Sequence, residues 1–182
     1  MIDDSYLIKR CIEKDRKCQK LLYEKYASLM LGVCIRYADN REEAEDILQE
    51  GFLKVFLSIG QYSGKGTLPG WMKSIMINTA INHFHRNKKY RDNKGLDQVE
   101  DGSLKDQVTL SGLDRLKEED LLKVIRTLPQ GFRMIFNLYA IEGYKHNEIA
   151  KKLNIDEGTS KSQYSRARRL IKEKLTILEK AG

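Results

Sequence analysis

From about residue 18 onward, apolar side chains recur at three- and four-residue intervals, and no alternating stretch of any length interrupts them. That is the helical period, and it predicts an all-α fold. Leu22, Tyr26, Leu29, Met30 and Val33 fall at this spacing and place a helix over residues 18–38. The Ala38-Asp39-Asn40 break ends it, and Asp39 or Asn40 can cap the exposed amides of the next helix, Asn40–Phe56. A third helix begins near Pro69, whose fixed φ suits a first helical turn, and runs to Lys88. Four more are predicted at 115–127, 130–141, 146–153 and 159–178.

The period lapses between Asn93 and Asp114, where Gly95, Gly102, Ser103, Ser111 and Gly112 collect. This stretch reads as a solvated linker, 93–114, between two small helical domains, 1–92 and 115–182. Charge divides the chain in the same way. The 33 Lys and Arg against 26 Asp and Glu leave a net +7, made of +4 before the linker, −3 within it and +6 after it.

At 41% hydrophobic and 32% charged, the composition is that of a soluble globular protein. No apolar run approaches the roughly 18 residues of a membrane span, so membrane insertion is not expected. The opening Met1-Ile2-Asp3-Asp4 lacks the basic-then-apolar order of a signal peptide. Cys11, Cys18 and Cys34 have no metal-ligand spacing and are odd in number. Reduced thiols in a cytoplasmic protein are the natural reading.

Three segments carry candidate chemistry. On the second helix, Ala44, Leu48, Gly51, Phe52 and Val55 share the predicted core face. Glu45, Asp46, Gln49, Glu50, Leu53 and Phe56 lie opposite. Such a charged face can be merely solvated. An apolar Leu53 among carboxylates also fits a surface that docks another protein.

The third helix has the opposite sign, with five Lys or Arg and no acid from Lys73 to Arg91. Trp71, Asn78, Asn82 and His85 form one stripe, Ile75 lies close to it, and Arg86 follows. Amides and an aromatic ring on a basic helix suit single-stranded bases, although Trp71 can equally anchor the core. His83 and His85 are two apart and do not share a face, which argues against a metal site.

The third segment, Glu148–Leu175, has helix-turn-helix grammar. Ala150 is small where two helices approach, Asn154 suits a left-handed turn, and Ile155 follows it as a plug. Asp156 or Thr159 can cap the last helix. On that helix Tyr164, Ala167, Ile171, Leu175 and Leu178 cluster on one side. Ser162, Ser165, Arg166 and Arg169 lie opposite, with Lys161 and Lys172 flanking them.

These segments resemble a known family. AEDILQEGFLKVF (Ala44–Phe56) is similar to the core-binding helix of bacterial RNA polymerase sigma factors of the sigma-70 family, extracytoplasmic-function group. GTLPGWMKSIMINTAIN (Gly66–Asn82) is similar to the family's promoter-melting segment. LPQGFRMIFNLYAIEGYKHNEIAKKLNIDEGTSKSQYSRARRLI (Leu128–Ile171) is similar to its second DNA-binding domain. The motifs stand in the family's order, with a variable linker where one is expected. Leu68-Pro69-Gly70 replaces the commoner aromatic-containing approach to the Trp, and Asn82 stands where Asp is frequent.

The resemblance implies a sigma region 2 domain and a region 4 domain. Core polymerase would be bound through Glu45, Asp46, Gln49, Glu50 and Leu53. The minus-10 element would be recognised and melted by Trp71, Asn78, Asn82, His85 and Arg86, and the minus-35 duplex read by Lys161, Ser162, Ser165, Arg166 and Arg169. The partners implied are core RNA polymerase, promoter DNA and a separate anti-sigma factor. No cofactor, metal or small-molecule substrate is called for.

Two other classes account for less of the chain. A stand-alone helix-turn-helix regulator accounts for 115–182 but leaves the acidic Asp46–Glu50 face unexplained. An enzyme would need chemistry the sequence does not offer. There is no apolar carboxylate pair and no recognisable nucleophile signature. SGKGT (Ser63–Thr67) lacks the glycine-lysine spacing of a phosphate-binding loop.

Overall fold

The helical period is realised in a computed structural model that describes residues 3–93 and 118–181, with side chains described for 3–88 and 121–177. Among the described residues there is no strand. The helices are α1 (Asp4–Ile12), α2 (Arg16–Ile35), α3 (Arg41–Ser58), α4 (Leu68–Asn93), α5 (Glu118–Arg126), α6 (Gln130–Phe136), α7 (His146–Leu153) and α8 (Glu157–Ala181). The chain divides into two compact units, Met1–His83 and Phe84–Gly182, so the division falls within α4. The predicted linker lies outside the described residues except for Asn93.

In the first unit α1 is the element the apolar period did not announce. It is only nine residues long and buries two side chains, Leu7 and Cys11, four apart. It is held at its start by Asp4, which accepts hydrogen bonds from Lys25 Nζ (2.7 Å) and Tyr26 Oη (2.6 Å) of α2. Asp15 caps α2 by accepting from the amides of Lys17 and Cys18. Between the two candidates for the next cap, Asn40 takes the role, accepting from the Glu43 amide at 2.8 Å. Glu43 reciprocates with the Asp39 amide at 2.6 Å.

Leu22, Tyr26, Met30 and Val33 of α2 face the core, but Leu29 is exposed. Ala44, Leu48, Gly51, Phe52 and Val55 of α3 are all buried as predicted, with Ile47 added. Met72 and Met76 of α4 are fully buried. Gly51 allows this packing, since a Cβ there would run into the Met76 thioether. Thr67 closes the start of α4 by accepting from the Gly70 amide (3.2 Å).

All three cysteines are buried free thiols. Burial pushes the Cys11 thiol up to about 11 and the Cys34 thiol up to about 12, so neither ionises near neutrality. No helix among the described residues is long and apolar enough to cross a membrane.

In the second unit Val124, Ile125, Leu128, Phe136, Ala167, Ile171 and Leu175 form one core, with Tyr164 packed against it. The described part of the predicted apolar stripe on the last helix is therefore its core face; the Leu178 side chain lies outside the described residues. The predicted helix at 130–141 divides. α6 stops at Phe136, and Asn137–Ile141 continues as a π-helical turn in which the Glu142 amide bonds Asn137 O (3.0 Å).

Candidate functional site

On the first unit the outward face of α3 is acidic around an apolar centre. Leu53 is 65% exposed and Leu57, one turn on, 86%. Asp46 and Gln49 are exposed beside them, while Glu45 is half-buried and holds Arg41 Nε at 2.8 Å. Glu45, Leu48 and Gln49 also line a groove that Tyr23, Ala27, Ser28 and Leu31 complete from α2. Leu57 and the α2 wall of this groove are absent from the sequence-derived set. Leu57 could have been found by extending the Asp46–Leu53 stripe by one turn; the groove wall needed the α2–α3 packing.

Glu50 differs from its neighbours. The sequence places it on the outward face, yet its side chain is only 29% exposed. One oxygen lies 2.7 Å from Lys54 Nζ and the other 2.8 Å from His83 Nε2 on α4. Helical spacing cannot register a partner 33 residues away.

The predicted stripe on α4 divides between the units. On the first, Asn78 and Asn82 are exposed and Trp71 and Ile75 half-buried. On the second, Arg86 is exposed and His85 half-buried, its Nε2 2.9 Å from Lys152 O. Trp71 neither stands clear of the protein nor sinks into the core. Its ring rests 5.6 Å from that of Tyr62, whose hydroxyl donates to Gly66 O at 2.9 Å. Tyr62 therefore supports the Trp and shapes the Ser63–Thr67 turn. His83, by contrast, points back to α3 and is no part of this stripe.

On the second unit the helix-turn-helix reading holds in its geometry. Asn154 ends α7 at φ 51°, ψ 54°, the left-handed conformation predicted for it. α8 starts at Glu157, two residues before the predicted position, and Asp156 O receives the Ser160 amide (3.0 Å). Ser162 and Ser165 are exposed on α8, and Ser162 Oγ donates to Thr159 O (3.1 Å). Arg166 and Arg169 are half-buried, Arg169 lying 3.6 Å from Glu173. Lys161 is exposed but pairs with Glu157 at 2.7 Å, which holds the Glu157 carboxyl below its ordinary range. Arg168 lies over the Tyr164 ring, 5.8 Å from its centre, in keeping with a folding role on the apolar side.

Behind this surface is a cluster that helical spacing did not single out. His146 stacks on Tyr139 (4.3 Å between ring centres) and meets Tyr164 edge-on (5.7 Å). Its Nδ1 lies 3.0 Å from the hydroxyl of Ser160, a fully buried residue of α8. Burial, and then Lys161, hold the His146 pKa below 6.5, while Glu157 opposes them. The start of α8 is thus fixed through one neutral imidazole.

The family profile described as Sigma-70 region 2 matches residues 22–90, and that described as Sigma-70, region 4 matches residues 118–171. The chain is similar to the RNA polymerase sigma-H factor of Pseudomonas aeruginosa, 28% identical over 192 residues that cover 96% of this chain and 95% of that one. It is also 28% identical over 186 residues to the ECF RNA polymerase sigma-E factor of Haemophilus influenzae, with 97% of each chain covered. Among solved structures it resembles the sigma factor RpoE of Bartonella quintana, determined with the anti-sigma factor NepR. The TM-score is 0.50 at 22% identity, covering 87% of this chain and 96% of that one, a likeness of fold.

Proposed function

The chain belongs to the sigma-70 family, in its extracytoplasmic-function group, and we propose that its three polar faces divide the steps of promoter-directed initiation. It acts with RNA polymerase in starting transcription. The α3 face, with Glu45, Asp46, Gln49, Glu50 and Leu53, docks the core enzyme. An exposed leucine beside carboxylates on one helix face suits the apolar centre and polar rim of a protein interface.

The α4 stripe of Trp71, Asn78, Asn82, His85 and Arg86 opens the minus-10 element. Unstacking a base costs a few kcal/mol per step, and a protein that holds the extruded base on amides and a ring offsets that cost. The outer face of α8 reads the minus-35 duplex through Ser162, Ser165 and Arg166, with Lys161 and Arg169 on phosphates.

Residues 1–92 form the first domain in this scheme and 115–182 the second, joined by a linker at 93–114. The polymerase supplies all the chemistry, and this chain supplies position alone, in the cytoplasm. A separate anti-sigma factor controls it; the sigma factor RpoE of Bartonella quintana was crystallised in complex with the anti-sigma factor NepR. The free-standing regulator is not favoured, because it gives the α3 face no work.

The observation that best supports the scheme is Leu53, 65% exposed among acids on a chain of net charge +7. Such a face repels DNA and suits a protein. A gel shift with and without purified core polymerase tests it. Promoter binding that requires the core enzyme is expected, and equal binding by the chain alone would return the regulator to favour.

A further inference from the structure

The first unit contains a polar link between α3 and α4, centred on Glu50 of the docking face, whose other members, His83, Lys54 and Thr79, have no role in this scheme. Glu50 Oε2 lies 2.8 Å from His83 Nε2, and Glu50 Oε1 lies 2.7 Å from Lys54 Nζ. Lys54 Nζ also donates to Thr79 Oγ1 at 3.2 Å. Thr79, fully buried on α4, in turn donates to Ile75 O (2.8 Å). One carboxylate on the edge of the docking face therefore reaches α4 by two routes, directly through His83 and indirectly through Lys54.

The apolar packing beside this link is made by a side chain that yields. α4 meets α3 there through Met76, set against Gly51. Methionine is unbranched and accommodates small displacements, so it sets the spacing of two helices better than their rotation. Charge-assisted hydrogen bonds are directional and short. His83 lies five residues after Asn78 and one after Asn82 on the same helix, so a turn of α4 about its axis re-aims both asparagines.

We infer that His83 and Lys54 are positioning residues that hold Asn78 and Asn82, the asparagines of the melting stripe on the first unit, in register with the docking face of α3 through Glu50. The inference rests on the roles given above to those two faces. It adds that polymerase contact and promoter opening share one side chain, so that opening can be weakened with docking left in place.

The test compares the full-length wild-type chain with His83→Ala and His83→Gln. Affinity for purified core polymerase is measured first. Permanganate-reactive thymines are then counted on a promoter fragment at saturating polymerase. Removing His83 leaves the docking side chains present, so core affinity should stay within about twofold. Open complexes should fall by about tenfold, the effect of losing a hydrogen bond to a charged group. His83→Gln keeps an N–H donor for Glu50 and should restore most of the loss.

Equal loss of docking and opening would make His83 a support of the fold only and overturn the inference. So would unchanged opening in His83→Ala, or failure of the Gln variant to restore it. Should His83→Ala melt below the assay temperature, Lys54→Met removes the Thr79 route alone and must show the same division. If the wild-type chain itself neither binds polymerase nor opens DNA, it is the assignment of the two faces that fails, which is a distinct result.

Discussion

Arg166 and Lys161 lie on the same helix, but they should fail differently. Arg166 is half-buried on the α8 face that follows the helix-turn-helix turn, where a guanidinium can reach guanine through two hydrogen bonds. Arg166→Ala should cost about 1–3 kcal/mol on the correct minus-35 sequence and little on a scrambled one. Lys161 is exposed and already paired with Glu157, as a charge at the rim would be. Lys161→Ala should weaken both sequences alike and lower the salt slope by about one unit, both read from holoenzyme titrations across salt. Equal losses for Arg166→Ala on both sequences would make it a phosphate contact.

On α3, Asp46→Lys reverses an exposed charge and should leave the thermal midpoint unchanged. It should weaken core binding by about 1 kcal/mol or more in a pull-down titration. Unaltered assembly would remove Asp46 from the interface. Glu50 cannot serve as an equally clean probe, although helical spacing puts the two side by side. Spacing gives a direction from the helix axis and says nothing of what another helix brings to meet it. Asp46 was legible in the sequence for that reason, and the Glu50–His83 pair was not.

Among the elements, the amphipathic helices were legible, down to the eight residues of α7, whereas α1 and the irregular turn after α6 were not. α3 and α8 each carry enough apolar positions for the period to define a face. α1 buries two side chains and takes its anchor from Asp4 contacts with α2, which local spacing does not encode. The π-helical turn after α6 also escaped, because one extra residue in a turn barely disturbs an apolar pattern. That turn brings Tyr139 onto His146, whose burial gives the second unit a pH dependence.

The folded domain favours neutral His146, whose pKa is held below 6.5 chiefly by burial. The unfolded chain then binds more protons as pH falls through that value, so stability is undiminished above it and declines below. Thermal unfolding of the intact chain between about pH 8 and about pH 5 should show a midpoint for the second unit that falls below about pH 6.5. His146→Phe keeps a ring against Tyr139 but cannot titrate. It should lower the midpoint at neutral pH, since Ser160 loses its partner, and flatten the dependence. An equally steep curve in that variant would assign the effect to other groups.

For the molecule as a whole, the signs of the faces carry the account. An acidic face with a bare leucine on one unit, a basic helix beside it and a second basic helix on the other unit describe a protein that meets polymerase and DNA together. Charge and motif order make this much readable in the sequence itself. The measurement that bears on it most directly is run-off transcription from genomic fragments with purified core polymerase, with and without this chain. Discrete transcripts that appear only when the chain is added, and that Asp46→Lys and Arg166→Ala each diminish, are the predicted result. Transcripts indifferent to the chain, alongside tight DNA binding in the absence of polymerase, would contradict it.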